Sequence, residues 1–274
     1  MIAQKDALLR LLRDDDDATL GLVKTQLAQA GIDALPELRA LLKAADPRAA
    51  RQLREVIAEV ETREADALFA QLCGSFPEQG DVEDAAWRLA ATFSPGEDFG
   101  PQRTLLDAWG AEVRKRLRKA TTDCDRIETL VEFLGDEVRL RGNEDDYYNL
   151  NNSLLPEVID TRVGIPITLS LIYILVGRRA GMELSGVGLP GHFIVRHGDS
   201  FFDPFHGGRR VGLEECRTLL EQQNLVLAAH HLQPVGSRQI LLRMLSNIYA
   251  LSEESDPPLA AKVSSWIAGL RRAG

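Results

Sequence analysis

The sequence predicts an α+β fold that is mostly helical, with one small antiparallel sheet and a helical region ahead of it. Three observations carry this. Apolar residues recur at helical spacing over most of the 274 residues. Only Leu184 to about Val211 reads as strand, punctuated by Pro190-Gly191, Gly198-Asp199 and Gly207-Gly208. The first 64 residues repeat themselves at an offset of thirty.

In that repeat, Leu11-Leu12-Arg13 returns as Leu41-Leu42-Lys43, Asp16 as Asp46, Val23 as Leu53 and Leu27 as Ile57. Asp16 and Asp46 stand where a helix cap is wanted, and Pro47 suits a first helical turn. Two such helix–turn–helix units resemble HEAT-like repeats, and a plain four-helix cap fits the same pattern. Further helices are expected over 65–73, 82–92, 102–119 and 123–140, the last with Ile127, Leu130, Val131, Leu134 and Val138 in one stripe. A short helix over 154–161 and an apolar one over 166–180 precede the strands. Helices over 213–223, 238–251 and 259–272 follow them. The expected domains are 1–64 (helical repeat pair or cap), 65–237 (the α+β core) and 238–274 (a helical hairpin).

Composition narrows the function classes. Hydrophobic content of 45% and charged content of 27% are ordinary for a soluble globular chain. A net charge of −9 argues against nucleic acid and anionic membrane as partners. The apolar run Ile165–Val176 is too short to span a bilayer, and the N-terminus has no signal-peptide pattern. Cys73, Cys124 and Cys216 lack metal or redox spacing, so reduced thiols in a cytoplasmic protein are expected. Charge is uneven: 161–212 carries six arginines against three acids, a local excess of +3. Solvated faces vary this much by chance, and the alternative is a positive pocket rim suited to an anionic ligand or partner.

The chemistry concentrates in 162–208. Gly164 and Pro166 open the apolar helix, whose start offers free N–H groups and a positive pole. No thiol stands there; Thr168 and Ser170 are the nearest hydroxyls. His192 follows Pro190-Gly191 on a strand where it shares a face with Ile194 and Arg196. A turn at 197–200 folds this strand on Phe201–Phe205, which brings Asp203 within about one strand spacing, ~4.8 Å, of His192. A carboxylate there fixes the imidazole tautomer and leaves the other nitrogen toward the helix start. The order is that of a Cys-His-Asp site, minus the cysteine.

Other patterns carry less. His197 and His206 could join His192 and Asp203 as metal ligands, but both sit at turns without ligand spacing, so no metal or other cofactor is expected. His230-His231 lies in a leucine-rich segment. Gly186, Gly188 and Gly191 match a dinucleotide spacing with no strand–helix unit after them. Asn152 or Ser153 is placed to cap the helix that follows. Tyr147 and Tyr148 either pack over the pocket or anchor their loop.

The words NSLL, RVGIPITLS, LPGHFIVR and FDPFHGG resemble the SirB-type branch of the transglutaminase-like superfamily, and also a domain of certain eukaryotic F-box proteins. The resemblance is strong over 140–212, weaker back to residue 83, and does not reach 1–64. It implies a bacterial protein with a papain-like core in which Pro166 stands at the cysteine, with His192 and Asp203 as the other two members. Thioester chemistry is then excluded at that position. SirB-type proteins are described as regulators with a helical-repeat tail, and the tail after Leu213 is short.

The expected function is a non-enzymatic binding or regulatory module with a protein or peptide partner, or a small anionic ligand. Its cleft is drawn from Asn152, Ser153, Arg162, Gly164, Pro166, Thr168, Gly191, His192, Arg196, Asp203, His206 and Arg209. The alternative is a thiol-independent amide or ester hydrolase with His192 as general base. A third is a helical scaffold with a vestigial pocket.

Overall fold

A computed structural model describes residues 5–273. The chain divides into two compact units, one of residues up to Gln71 together with Ala91–Glu97, the other of Leu72–Ala90 with Asp98 onward.

The first unit contains α1 (Lys5–Leu11), α2 (Asp17–Gln29), α3 (Leu35–Ala44) and most of α4 (Pro47–Ser75). Asp16 accepts hydrogen bonds from the amides of Ala18 and Thr19, and Asp46 from those of Arg48 and Ala49. Each capped helix is thereby started at a fixed residue. Leu12, Leu38, Leu41, Leu53, Val56 and Val60 interleave as a dry core. α4 runs without a break through 64/65, where the sequence suggests a boundary.

The second unit begins with α5 (Val82–Ala91), α6 (Gly100–Arg116) and α7 (Asp123–Val131). The sequence predicts one helix over 123–140; instead a π-helical turn takes over at Glu132–Glu137, closed by Val138 N–H on the Phe133 carbonyl. Its Gly135 is pressed so near the Gly207 carbonyl that a Cβ would lie 2.3 Å from that oxygen. The wider turn accommodates this approach.

β1 (Arg141–Gly142) and β2 (Val163–Gly164) form a short parallel pair around α8 (Leu155–Thr161). α9 (Pro166–Ala180) then passes through the middle, apolar on every side, with only Arg178 and Arg179 at its end reaching outward. Gly110 of α6 touches the Arg179 stem, close enough that a Cβ there would sit 2.3 Å away. The Arg179 guanidinium in turn bonds Glu83 at 2.6 Å and Asp107 at 2.7 Å.

The antiparallel sheet has the order β3 (Ser185–Leu189), β4 (His192–His197), β5 (Ser200–Asp203), β6 (Arg209–Val211). One face meets α9, with Phe202 against Tyr173 and the Ser170 hydroxyl on the Phe193 carbonyl. The other packs Ile194, Phe201 and Val211 on Cys216 and Leu220 of α10 (Leu213–Glu221). α11 (Ser237–Ser252) and α12 (Pro257–Arg272) complete this same unit.

Candidate functional site

Local rules place the site's two main members. Leu189 pairs with His192 across the two-residue turn Pro190-Gly191, where Gly191 has φ +72°. Proline then glycine is what such a turn demands, and it delivers His192 at the first position of β4. The second turn pairs His197 with Ser200, so β5 runs back and ends at Asp203.

His192 Nε2 and Asp203 Oδ2 are 2.8 Å apart. Asp203 is 1% exposed and fully engaged. Its Oδ1 accepts the Phe205 amide at 3.0 Å, its Oδ2 meets His206 Nδ1 at 2.7 Å, and its carbonyl accepts the Gly208 amide at 2.7 Å. Burial pushes the Asp203 carboxyl up, but the bonds from His192 and His206 outweigh it and leave it below the usual carboxylate range. Arg209 comes within 3.8 Å of the same oxygen and is itself paired to Glu215.

The surroundings are aromatic. Phe205 stands edge-on to His192, at 6.2 Å between ring centres, and to Tyr147 at 6.0 Å. Tyr147 and Tyr148 share a cavity of about 110 Å³ with Ile165, the residue that caps α9, and with Asn247, Ala250 and Leu251 of α11. The tyrosine loop is held by Asn152, whose side-chain amide donates to the carbonyls of Asp146 and Tyr147 and accepts from Asn143.

Of the residues singled out from the sequence, the structure brings together His192, Asp203, His206 and Arg209, with Gly191 as the turn that positions the first. Asn152, Gly164, Pro166 and Thr168 gather at the start of α9, where the Ile165 amide bonds the Asn152 carbonyl. Two corrections follow. Neither Asn152 nor Ser153 caps α8: Leu154 holds that position without a side-chain bond, because 150–153 forms its own 3₁₀ turn. Arg162 and Arg196 do not join the histidines. Arg162 ends α8 in a left-handed conformation and lies over the Trp109 ring at 4.8 Å. Arg196 lies four residues along β4, ~13 Å at strand rise, and bonds the carbonyls of Gly198 and Leu232. Phe205 and the α11 residues escape sequence reasoning, although Phe205 lies inside the FDPFHGG word.

Several buried polar atoms lack partners among the described residues: the hydroxyls of Ser153, Thr168 and Tyr173 and one Arg162 nitrogen. Thr168 lies in the first turn of α9. The three thiols are elsewhere. Burial holds Cys73 up at about 12 and raises Cys216, and a bond to Glu128 raises Cys124. None is an activated thiolate.

A strand histidine oriented by a buried carboxylate, in a sheet packed on an apolar helix, is the arrangement of a papain- or transglutaminase-like core. Comparison with known proteins agrees. The chain belongs to the transglutaminase-like superfamily, whose core model matches residues 102–246. It is 33% identical to a UPF0162 protein of Xylella fastidiosa over 172 residues, 59% of this chain and 61% of that protein. It is 35% identical to a UPF0162 protein of Pseudomonas aeruginosa over 188 residues, 65% of this chain and 67% of that one. F-box only protein 21 of Homo sapiens is 32% identical over 139 residues, 46% of this chain and 22% of that protein. No solved structure matches. Among the described residues no helix is long and apolar enough to cross a membrane.

Proposed function

We propose that this chain is a non-enzymatic binding or regulatory module of its superfamily, working through the cleft around His192 and Asp203. On this reading Pro166 occupies the position of the superfamily's thiol, and the cleft holds a peptide or small anionic group in the cytoplasm of a bacterium. The helices of residues 1–64, read as a HEAT-like pair, supply contact with a protein partner. The observation that carries the reading is the state of the thiols: all three are held protonated, and none bonds either imidazole of the site among the described residues. An acyl-transfer core without a thiolate retains its oriented dyad and its shaped surface, and these suffice for recognition.

A second reading has one observation in its favour. With Nε2 on Asp203, His192 Nδ1 has no protein partner among the described residues, as a general base acting on water requires. Both are tested on extract-exposed protein, comparing wild type with His192→Ala/Asp203→Ala by mass spectrometry of what remains bound. A species retained by wild type and absent from the double variant supports the cleft; equal retention sinks it. Ester and amide hydrolysis that survives thiol reagents and vanishes in His192→Ala decides for the hydrolase.

A further inference from the structure

We propose that His192, Asp203 and His206 form a binding site for one divalent transition-metal ion of the zinc or ferrous kind, a refinement that rests on the cleft being a working binding site. One ring nitrogen of each histidine and one carboxylate oxygen lie within 4.8 Å of one another. The atoms are the right ones for such an ion, two imidazole nitrogens and a carboxylate oxygen. The spacing is informative as well. Asp203 Oδ2 stands 2.8 Å from His192 Nε2 and 2.7 Å from His206 Nδ1. For bonds of ~2.0–2.1 Å, such separations subtend about 80–90° at a shared ion. Those angles place each imidazole beside the carboxylate in an octahedral shell, and a two-histidine-one-carboxylate set leaves positions open for a ligand.

Without the ion, a single oxygen satisfies both imidazoles, which requires a proton on His192 Nε2 and on His206 Nδ1. The ion takes the place of those two protons. Each imidazole shifts its proton to the other nitrogen and pivots its freed lone pair from the carboxylate to the shared point. The Phe205 amide on Oδ1 keeps the carboxylate from turning away, as the outer shell of a metal site does. Phe205 walls one side of His192, while His206 is partly exposed and offers a way in. Arg209, 3.8 Å from the carboxylate, opposes an ion there, and its pairing with Glu215 offsets that charge. An ion there gives the cleft a cationic centre, and its open positions match a carboxylate or another anionic group.

The set has no spacing signature in the sequence because its ligands come from a strand start, a strand end and a 3₁₀ turn. In the Pro204–His206 turn, residues three apart eclipse, and His206 thereby returns over Asp203.

The test uses the full chain, stripped with chelator, and Co²⁺ as the probe. Wild type is expected to bind one Co²⁺ with d–d absorption, competed by Zn²⁺. His206→Gln, at a partly exposed position that folding tolerates, is expected to weaken binding at least tenfold, and Asp203→Asn to abolish it. His230→Ala/His231→Ala removes the other adjacent imidazoles, whose rings lie 4.0 Å apart, and is expected to bind as wild type does. Circular dichroism of each metal-free variant checks its fold. Absence of a Co²⁺ spectrum at millimolar metal overturns the site, as does binding that follows His230 and His231. In either case a species captured through the cleft still stands, so the two ideas fail separately.

Discussion

In the helical unit charged side chains stay outside. Lys24 meets Glu55, Arg39 meets Glu61 and Arg51 meets Glu55, and beneath them lie leucines. Thr92 is its only buried polar residue among those described. In the other unit Asn152, Ser153, Thr168, Ser170, Asp203 and Ser252 are all buried, and some of their atoms have no partner. A buried polar atom without a bond costs roughly 1–3 kcal/mol. The difference teaches where selection for stability stops. One unit is built as packing alone, and the other accepts unpaired groups around a site.

The comparison is broken first by core truncation. Phe202→Ala, at the seam of sheet and α9, is expected to cost ~3–5 kcal/mol, and Leu53→Ala in the helical unit ~2–5 kcal/mol. Chemical denaturation checks both; a loss under about 1 kcal/mol for Phe202→Ala contradicts a packed seam beneath the site.

Backbone substitution sharpens it next. Gly208 has φ +83°, its amide bonds the Asp203 carbonyl, and a Cβ there would press on both Val131 methyls at 2.9 Å. Gly208→Ala is expected to cost ~1–3 kcal/mol. Gly207→Ala, with φ +69° and open space around its Cβ, is expected to cost only ~1 kcal/mol. Thermal melts of the pair separate clash from conformation, and equal losses leave no role for the Val131 contact.

A smaller change runs in the opposite direction. Thr168→Val replaces an unbonded buried hydroxyl with a methyl of similar size, and is expected to be neutral or stabilising by up to about 1 kcal/mol. A clear destabilisation shows that the hydroxyl has a partner after all. The last expected effect is at a surface cap. Asp125 receives the backbone and hydroxyl of Thr121 and the amide of Thr122, and these hold its carboxyl at about 2 against an ordinary 3.8. The folded value is the lower one. Its contribution is therefore present above the ordinary value and lost as pH falls through about 2. Urea midpoints measured from pH 5 down to pH 2 are expected to fall more in wild type than in Asp125→Asn.

Much of this was legible in the chain. Asp16 and Asp46 mark helix starts because a carboxylate before an apolar run can only cap it usefully. The His192–Asp203 bond follows from counting residues around two tight turns. The π turn at 132–137 was not legible, since Leu134 and Val138 continue the helical stripe and the deviation comes from Gly135 meeting Gly207, far away in sequence. Alternation puts Arg196 on the face of His192, but a face is longer than a site. The sequence places His206 in the cleft but not its bond to Asp203, because the period that brings it back is that of a 3₁₀ turn.

Helix α9 bears on how the chain is made. It is buried on all sides, covered partly by α6, which precedes it, and partly by β3–β6, which follow. A ribosome emits Gly181 about thirty residues before Val211, an interval of roughly 1.5–6 s at ordinary elongation rates. During that interval a greasy rod of about 22 Å has half its cover missing. Nascent chains stalled or cleaved between those residues keep it bare, and they are expected in the insoluble fraction or bound to chaperones, while chains reaching α10 are not.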